Sequence, residues 1–188
     1  MAGLRATRAR WIAFLLSTSA ACGFASWCVA AALVSPDATL TLTSSSFPAN
    51  GEIPARFTCK SADVSPALSW SDPPGGTRSL ALVMNDPDAP SGNFIHWVIY
   101  DLPASTRSLP EGVPPSPEAA GGRQGTNGFG KVGYDGPCPP PGKPHRYFLR
   151  LWALDSTPNL QQPTAADVES AMRGHILAHG EIMGRFRR

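Results

Sequence analysis

The sequence predicts an all-β sandwich with one or two helices, and three observations carry that prediction. Proline and glycine account for 38 of the 188 residues. That is about 20%, against an ordinary ~12%, and both residues interrupt helix interiors, which excludes a helical bundle or a coiled coil. Hydrophobic residues make up 42% of the chain, with five Trp and eight Phe, enough for a core and too many for disorder. The apolar runs are of strand length and are separated by turn clusters.

The elements follow in chain order. Ala38–Ser44 alternates as Thr39-Leu40-Thr41-Leu42-Thr43, the pattern of a half-buried strand. Ser46–Ala55 is turn-rich through Pro48, Asn50-Gly51 and Pro54. Ala67–Ser71, with Leu68 and Trp70, is a second strand, closed by the Asp72-Pro73-Pro74-Gly75-Gly76 turn. Ser79–Asn85 is apolar throughout and predicts a strand buried on both faces; Phe94–Leu102 is the next strand. Pro103–Gly128 has little periodicity and reads as a long loop. Tyr147–Leu154 alternates large apolar side chains, as a strand does. Thr164 caps a helix expected from Ala165 to about His175, with Asp167 at its third position and Val168 and Met172 on one face. Ala178–Arg187 closes the fold as a strand with Ile182 and Phe186 on one side. Trp70, Trp97 and Trp152 are core residues by default.

Residues 1–35 stand apart. Arg5, Arg8 and Arg10 precede an uncharged run of 24 residues from Trp11 to Val34. A basic start followed by an apolar stretch is an export signal, with a cleavage site expected near Ala30-Ala31-Ala32. The run is also long enough to span a bilayer, so an uncleaved anchor over residues 11–34 is the alternative, with lipid attachment at Cys22 a third. Each places a single domain, 36–188, outside the cytoplasm, periplasmic or extracellular. Without the first 35 residues the chain has 13 basic and 14 acidic residues. That balance argues against a nucleic-acid partner.

Only Cys59 and Cys138 remain in that domain, and an oxidising compartment favours pairing them. Two separate buried thiols are the alternative. The loop so closed has about 79 residues, for which the chain-entropy model gives ~4 kcal/mol.

Three segments carry candidate chemistry: Asp86-Pro87-Asp88-Ala89-Pro90 after a buried strand, Ile95-His96-Trp97 within the next, and the proline-rich Tyr134–Tyr147. The prolines fix φ and stiffen the last segment, so a pocket can exist before its ligand arrives. Taken alone, Asp86 is a turn residue, His96 a satisfied core histidine and His145-Arg146-Tyr147 a sheet edge. Other constellations fail. His175 and His179 lack the glutamate of a helix-borne zinc site, no G-x-S-x-G elbow occurs, and Gly125–Gly130 lacks the lysine of a phosphate loop.

In combination, these segments resemble the phosphatidylethanolamine-binding protein family, in its bacterial Raf-kinase-inhibitor-like branch. The resemblance spans about Leu40 to Arg188. It includes Ile53–Cys59, Val64–Trp70 and Phe129–Tyr134 as well as Asp86–Pro90, His96-Trp97 and Gly136–Tyr147. It implies a mainly β fold, an antiparallel β-sandwich with one or two short helices near the C-terminus. It also implies a small pocket for phosphate-like or zwitterionic headgroups, built here from Asp86, His96, His145 and Tyr147, with Gly136 and Pro137 on its rim. Asp88 is expected to brace the turn before touching ligand. A tight turn beside His96 further suggests a cis Ala89–Pro90 bond.

Two imidazoles and a phenol are donors for an anion; Asp86 would orient an imidazole or bind a ligand ammonium. The function expected is a non-catalytic binding module without cofactor or metal. Its partners would be a small anionic or zwitterionic ligand and a regulated protein such as a protease. Membrane contact would come only through the N-terminal segment or lipid headgroups. The competing class is a hydrolase using His96 and His145 as acid and base, with metal assistance or a Cys138–His145 pair. Neither a nucleophile nor a third metal ligand is evident for it.

Overall fold

A computed structural model describes residues 38–188; the proposed export segment, with Cys22 and Cys28, lies outside the described residues. The strands are β1 (Ala38–Thr39), β2 (Leu42–Ser44), β3 (Leu68–Trp70), β4 (Ser79–Asp86), β5 (Phe94–Pro103), β6 (Ser108–Leu109), β7 (Glu118–Ala119), β8 (Gly122–Gln124), β9 (His145–Leu154) and β10 (Ile176–Phe186), with one α-helix, α1 (Ala165–Met172). A seven-stranded sheet has the order β1-β10-β9-β4-β5-β8-β7, and a three-stranded sheet the order β2-β3-β6. All pairings within the sheets are antiparallel except β1 with β10.

Strand β4 shows how composition builds the layers. Alternate residues point to opposite faces. Leu80, Leu82 and Met84 enter the core with Leu42, Leu68 and Trp70 of the small sheet, whereas Ala81 and Val83 pack with Val168 and Met172 of α1. Both faces are covered, so all eight residues of β4 are buried. Trp70 and Trp97 lie in the inter-sheet core, and Trp152 is partly buried against the helix layer.

The expected first strand is two. It breaks after Thr39, and β2 crosses to the small sheet, because Leu40 N donates to His179 O while Leu42 pairs with Trp70. The long loop after β5 contains three short strands, β6, β7 and β8, of two or three residues, too short for an alternation to register. The helix ends at Met172, short of His175, because Gly174 takes φ 78 and turns the chain into β10. Its start is a full capping box: Thr164 Oγ1 accepts from Asp167 N, and Thr164 N donates to Asp167 Oδ2. Thr164→Ala is expected to cost about 1 kcal/mol and lower the melting temperature by roughly 3 °C, read by thermal circular dichroism.

Candidate functional site

The site forms where the end of β4, the start of β5 and the start of β9 meet beneath the proline loop. Antiparallel pairing of β4 with both β5 and β9 places Asp86, His96 and His145 at one end of the large sheet. All three are buried.

Asp86 uses its two carboxylate oxygens differently. Oδ1 accepts from Asp88 N at 2.8 Å and closes the turn; Oδ2 lies 2.8 Å from His145 Nδ1. Asp88 fastens the same turn to the next residue of β9. Its carboxylate accepts from Arg146 N at 2.9 Å, Nε at 2.8 Å and Nη2 at 2.7 Å. The Arg146 guanidinium holds the Asp88 carboxyl well below the usual carboxylate range. No cis peptide bond occurs among the described residues, so Ala89–Pro90 is trans, against expectation. The turn closes without one because Asp86 caps it and Gly92, at φ 91, donates to Ala89 O.

His96 is fixed from the opposite side. Its Nδ1 lies 2.8 Å from Asp135 O, an acceptor, so Nδ1 carries the proton and Nε2 is the remaining nitrogen. Asp135 N returns a bond to His96 O, while Asn127 Nδ2 and Lys131 Nζ hold the Asp135 carboxylate. Burial pushes the His96 pKa below its usual value near 6.5, opposed by the Asp135 carbonyl and the charge of Asp86.

Tyr147, expected among the ligand-binding residues, is fully buried and does not line the pocket; its ring packs edge-on to His96 with centroids 5.2 Å apart. Its hydroxyl is buried and has no hydrogen-bond partner, the one such side-chain atom among the described residues. Burial, the nearby Asp86 charge and hydrogen bonding toward that carboxylate push its pKa upward, so the phenol stays neutral.

Asp86, His96 and His145 open into a pocket of about 210 Å³. Its polar end is these three side chains, and its mouth is apolar, with Pro90, Phe94, Phe129 and Pro140. Phe129 is 44% exposed and packs edge-on to Phe94. Gly136 and Pro137 are buried behind the pocket wall, and the surface facing the pocket is Cys138, Pro139 and Pro140. Gly136 cannot move forward, because its N donates to Asp63 Oδ1 and its Cα packs against Phe57 O. Asp88 lies outside the pocket, as the brace its pairing with Arg146 makes it. Residue types alone did not single out Phe94, Phe129, Asn127 or Asp135; a backbone carbonyl acceptor for His96 leaves no side-chain signature.

Cys59 and Cys138 form a disulfide with Cα atoms 5.4 Å apart. That removes the thiol needed for a Cys138–His145 pair. Among the described residues, no serine, threonine or cysteine hydrogen-bonds His96 or His145.

Comparisons with known proteins agree with this architecture. A profile described as phosphatidylethanolamine-binding protein matches residues 43–187. A UPF0098 protein of Aquifex aeolicus is 49% identical over 155 residues, covering 80% of this chain and 90% of that protein. One from Methanothermobacter thermautotrophicus is 44% identical over 151 residues, covering 79% and 99%. Among solved structures, CT736 of Chlamydia trachomatis, described as a homologue of phosphatidylethanolamine-binding protein, superposes with a TM-score of 0.73 at 36% identity, covering 80% of this chain and 98% of that one. YbcL of E. coli, described as a member of the mammalian family, also gives 0.73, at 31% identity and covering 80% and 99%. With the sandwich, the paired segments and most of the described chain accounted for, the protein belongs to the phosphatidylethanolamine-binding protein family.

Proposed function

We propose that the chain is a non-catalytic binding module whose pocket takes a phosphate-like group, free or within a zwitterionic phosphoethanolamine-type headgroup. One observation carries this reading: His96 and His145 line one pocket with Asp86, and the Nδ1 atom of each imidazole is already engaged, which leaves Nε2 for a ligand. Two donors can converge on one anion once the imidazoles are protonated at Nε2. Asp86, in contact with His145, is the group to meet a ligand ammonium. Among the described residues no serine, threonine or cysteine hydrogen-bonds either imidazole, the pairing a nucleophilic hydrolase would use. Export belongs to the same reading, supported by the basic start, the uncharged run and the disulfide. So does regulation of a partner such as a protease, with the apolar mouth around Phe129 as the point of access.

The sign of the pH dependence follows from His96. Above its lowered pKa the ring is neutral, and Nε2 presents a lone pair that repels an anion. Anion binding therefore takes up a proton, and affinity rises as pH falls. Titration calorimetry with sulfate, which keeps its charge across the range, is expected to show binding at about pH 5.5 at least tenfold tighter than at about pH 8.5. Equal affinity at both would remove the histidines from the role. The same burial works against the free protein. A histidine held neutral contributes stability that is present above its unfolded pKa and lost as pH falls below about 6.5.

A further inference from the structure

On the outer side of the 143–146 segment lies a second feature, independent of the pocket. Residues 38–188 contain 13 Lys and Arg and 13 Asp and Glu. Five of those cations, Lys143, Arg146, Arg185, Arg187 and Arg188, come together where β9 begins and β10 ends, because Arg146 lies opposite Arg185 and His145 opposite Phe186. All five are exposed. Four of them, Lys143, Arg146, Arg185 and Arg187, line two adjoining depressions of about 290 and 430 Å³ that share Pro144 and Arg185. The acids lining these depressions are Glu52 and Asp88, and Asp88 is taken up by Arg146. Four lining cations against two acids leave +2 on this face and −2 over the rest of the described chain.

The rest of the surface distributes its charge differently. Arg56, Arg107, Lys131 and Arg150 each pair with an acid; Lys60, Arg78, Arg123 and Arg173 have no salt-bridge partner among the described residues but lie apart in the sequence, whereas Lys143, Arg185 and Arg187, also without one, share the lining of the two depressions. Like charges placed directly opposite on neighbouring strands, as Arg146 and Arg185 are, destabilise a sheet. Asp88 offsets Arg146, so Arg185 opposite it is the charge left open to an anionic occupant.

We propose that this groove is a docking surface for an acidic polypeptide segment in extended conformation. The two depressions join through Pro144 and Arg185, so one chain can reach the cations of both. Guanidinium groups suit carboxylates, which they engage in paired hydrogen bonds. Arg146 is already held in place, by Asp88 and over the Phe148 ring at 5.7 Å.

The test uses a fluorescently labelled peptide of alternating Glu and Asp, followed by anisotropy against the full chain. Wild type is expected to bind in low salt and to lose most of that affinity in high salt. The double variant Arg185→Glu, Arg187→Glu, checked for an unchanged circular dichroism spectrum, is expected to bind about tenfold or more weakly. His145→Ala is expected to bind the peptide as wild type does. Equal binding by wild type and the double variant overturns the proposal. Loss of peptide binding in His145→Ala also overturns it, by placing the peptide in the pocket. So does a deficit of the double variant seen only on phosphatidylglycerol vesicles and not with the peptide, which would assign the face to membrane.

Discussion

His145→Ala is expected to weaken phosphoethanolamine binding by about 10- to 100-fold. A hydrogen bond to a charged group is worth about 1.5–3 kcal/mol, and the loss would be of that order. The variant also leaves Asp86 Oδ2 facing an empty volume, so a carboxylate that had been screened by an imidazole would confront the ligand phosphate directly. Asp86→Asn separates the two contributions. An amide oxygen can still accept from His145 Nδ1, which keeps the ring in place, but the negative charge that opposes desolvation of His96 is gone. Its phosphate affinity is expected to fall, and its rise with acidity to begin at lower pH than in wild type. His175→Ala is the control. That ring is about half exposed and bonded to Asp155, so binding should be unchanged. Calorimetry on the three variants decides the matter. Wild-type affinity in His145→Ala would remove this pocket as the anion site.

The legible parts of the fold are those whose pattern repeats over several residues. The buried run of β4, the alternation of β9 and the Thr164-x-x-Asp167 box each report a local geometry that tertiary packing does not override. Strands β6, β7 and β8 exist because neighbours pair with them, and two or three residues carry no period. The site divides in the same way. Asp86, His96 and His145 were visible because chemistry-bearing residue types sat in linked segments. Gly136 does not line the pocket, and its close approach to Phe57 and Asp63, from a segment some seventy residues away, is a constraint the linear pattern does not display. The Ala89–Pro90 bond was expected cis from tightness alone, whereas an aspartate cap and a left-handed Gly92 solve the same geometric problem. Phe129 stands out only once the pocket mouth is formed around it, since an exposed aromatic has no signature in a linear pattern.

The double variant Cys59→Ser, Cys138→Ser is expected to lose about 3–4 kcal/mol of stability, lowering the melting temperature by roughly 10 °C. The bond spans 79 positions, so its removal releases a long loop in the unfolded chain. Its effect on the pocket should be smaller than its effect on stability. The strip that Cys138 belongs to is tied to the 57–63 segment by three further bonds: Tyr134 Oη to Phe57 O, Gly136 N to Asp63 Oδ1, and Cys59 N to Pro137 O. Its prolines 137, 139, 140, 141 and 144 also limit how far it can relax. Phosphoethanolamine affinity is thus expected to drop only a fewfold at temperatures where the variant remains folded. Gly136→Ala should show the reverse balance. The disulfide stays, but an added Cβ would overlap Phe57 O and meet Asp63 Oδ1 at 2.5 Å, pushing the pocket wall off its support. A cost of about 1–3 kcal/mol from overpacking would then come with a larger loss of ligand affinity than in the cysteine variant. Thermal melts and calorimetry on both proteins test the pair. Were the cysteine variant as stable as wild type, the bond would contribute nothing to the fold; were its affinity lost while Gly136→Ala kept full affinity, the disulfide and not the packed glycine would be what holds the pocket open.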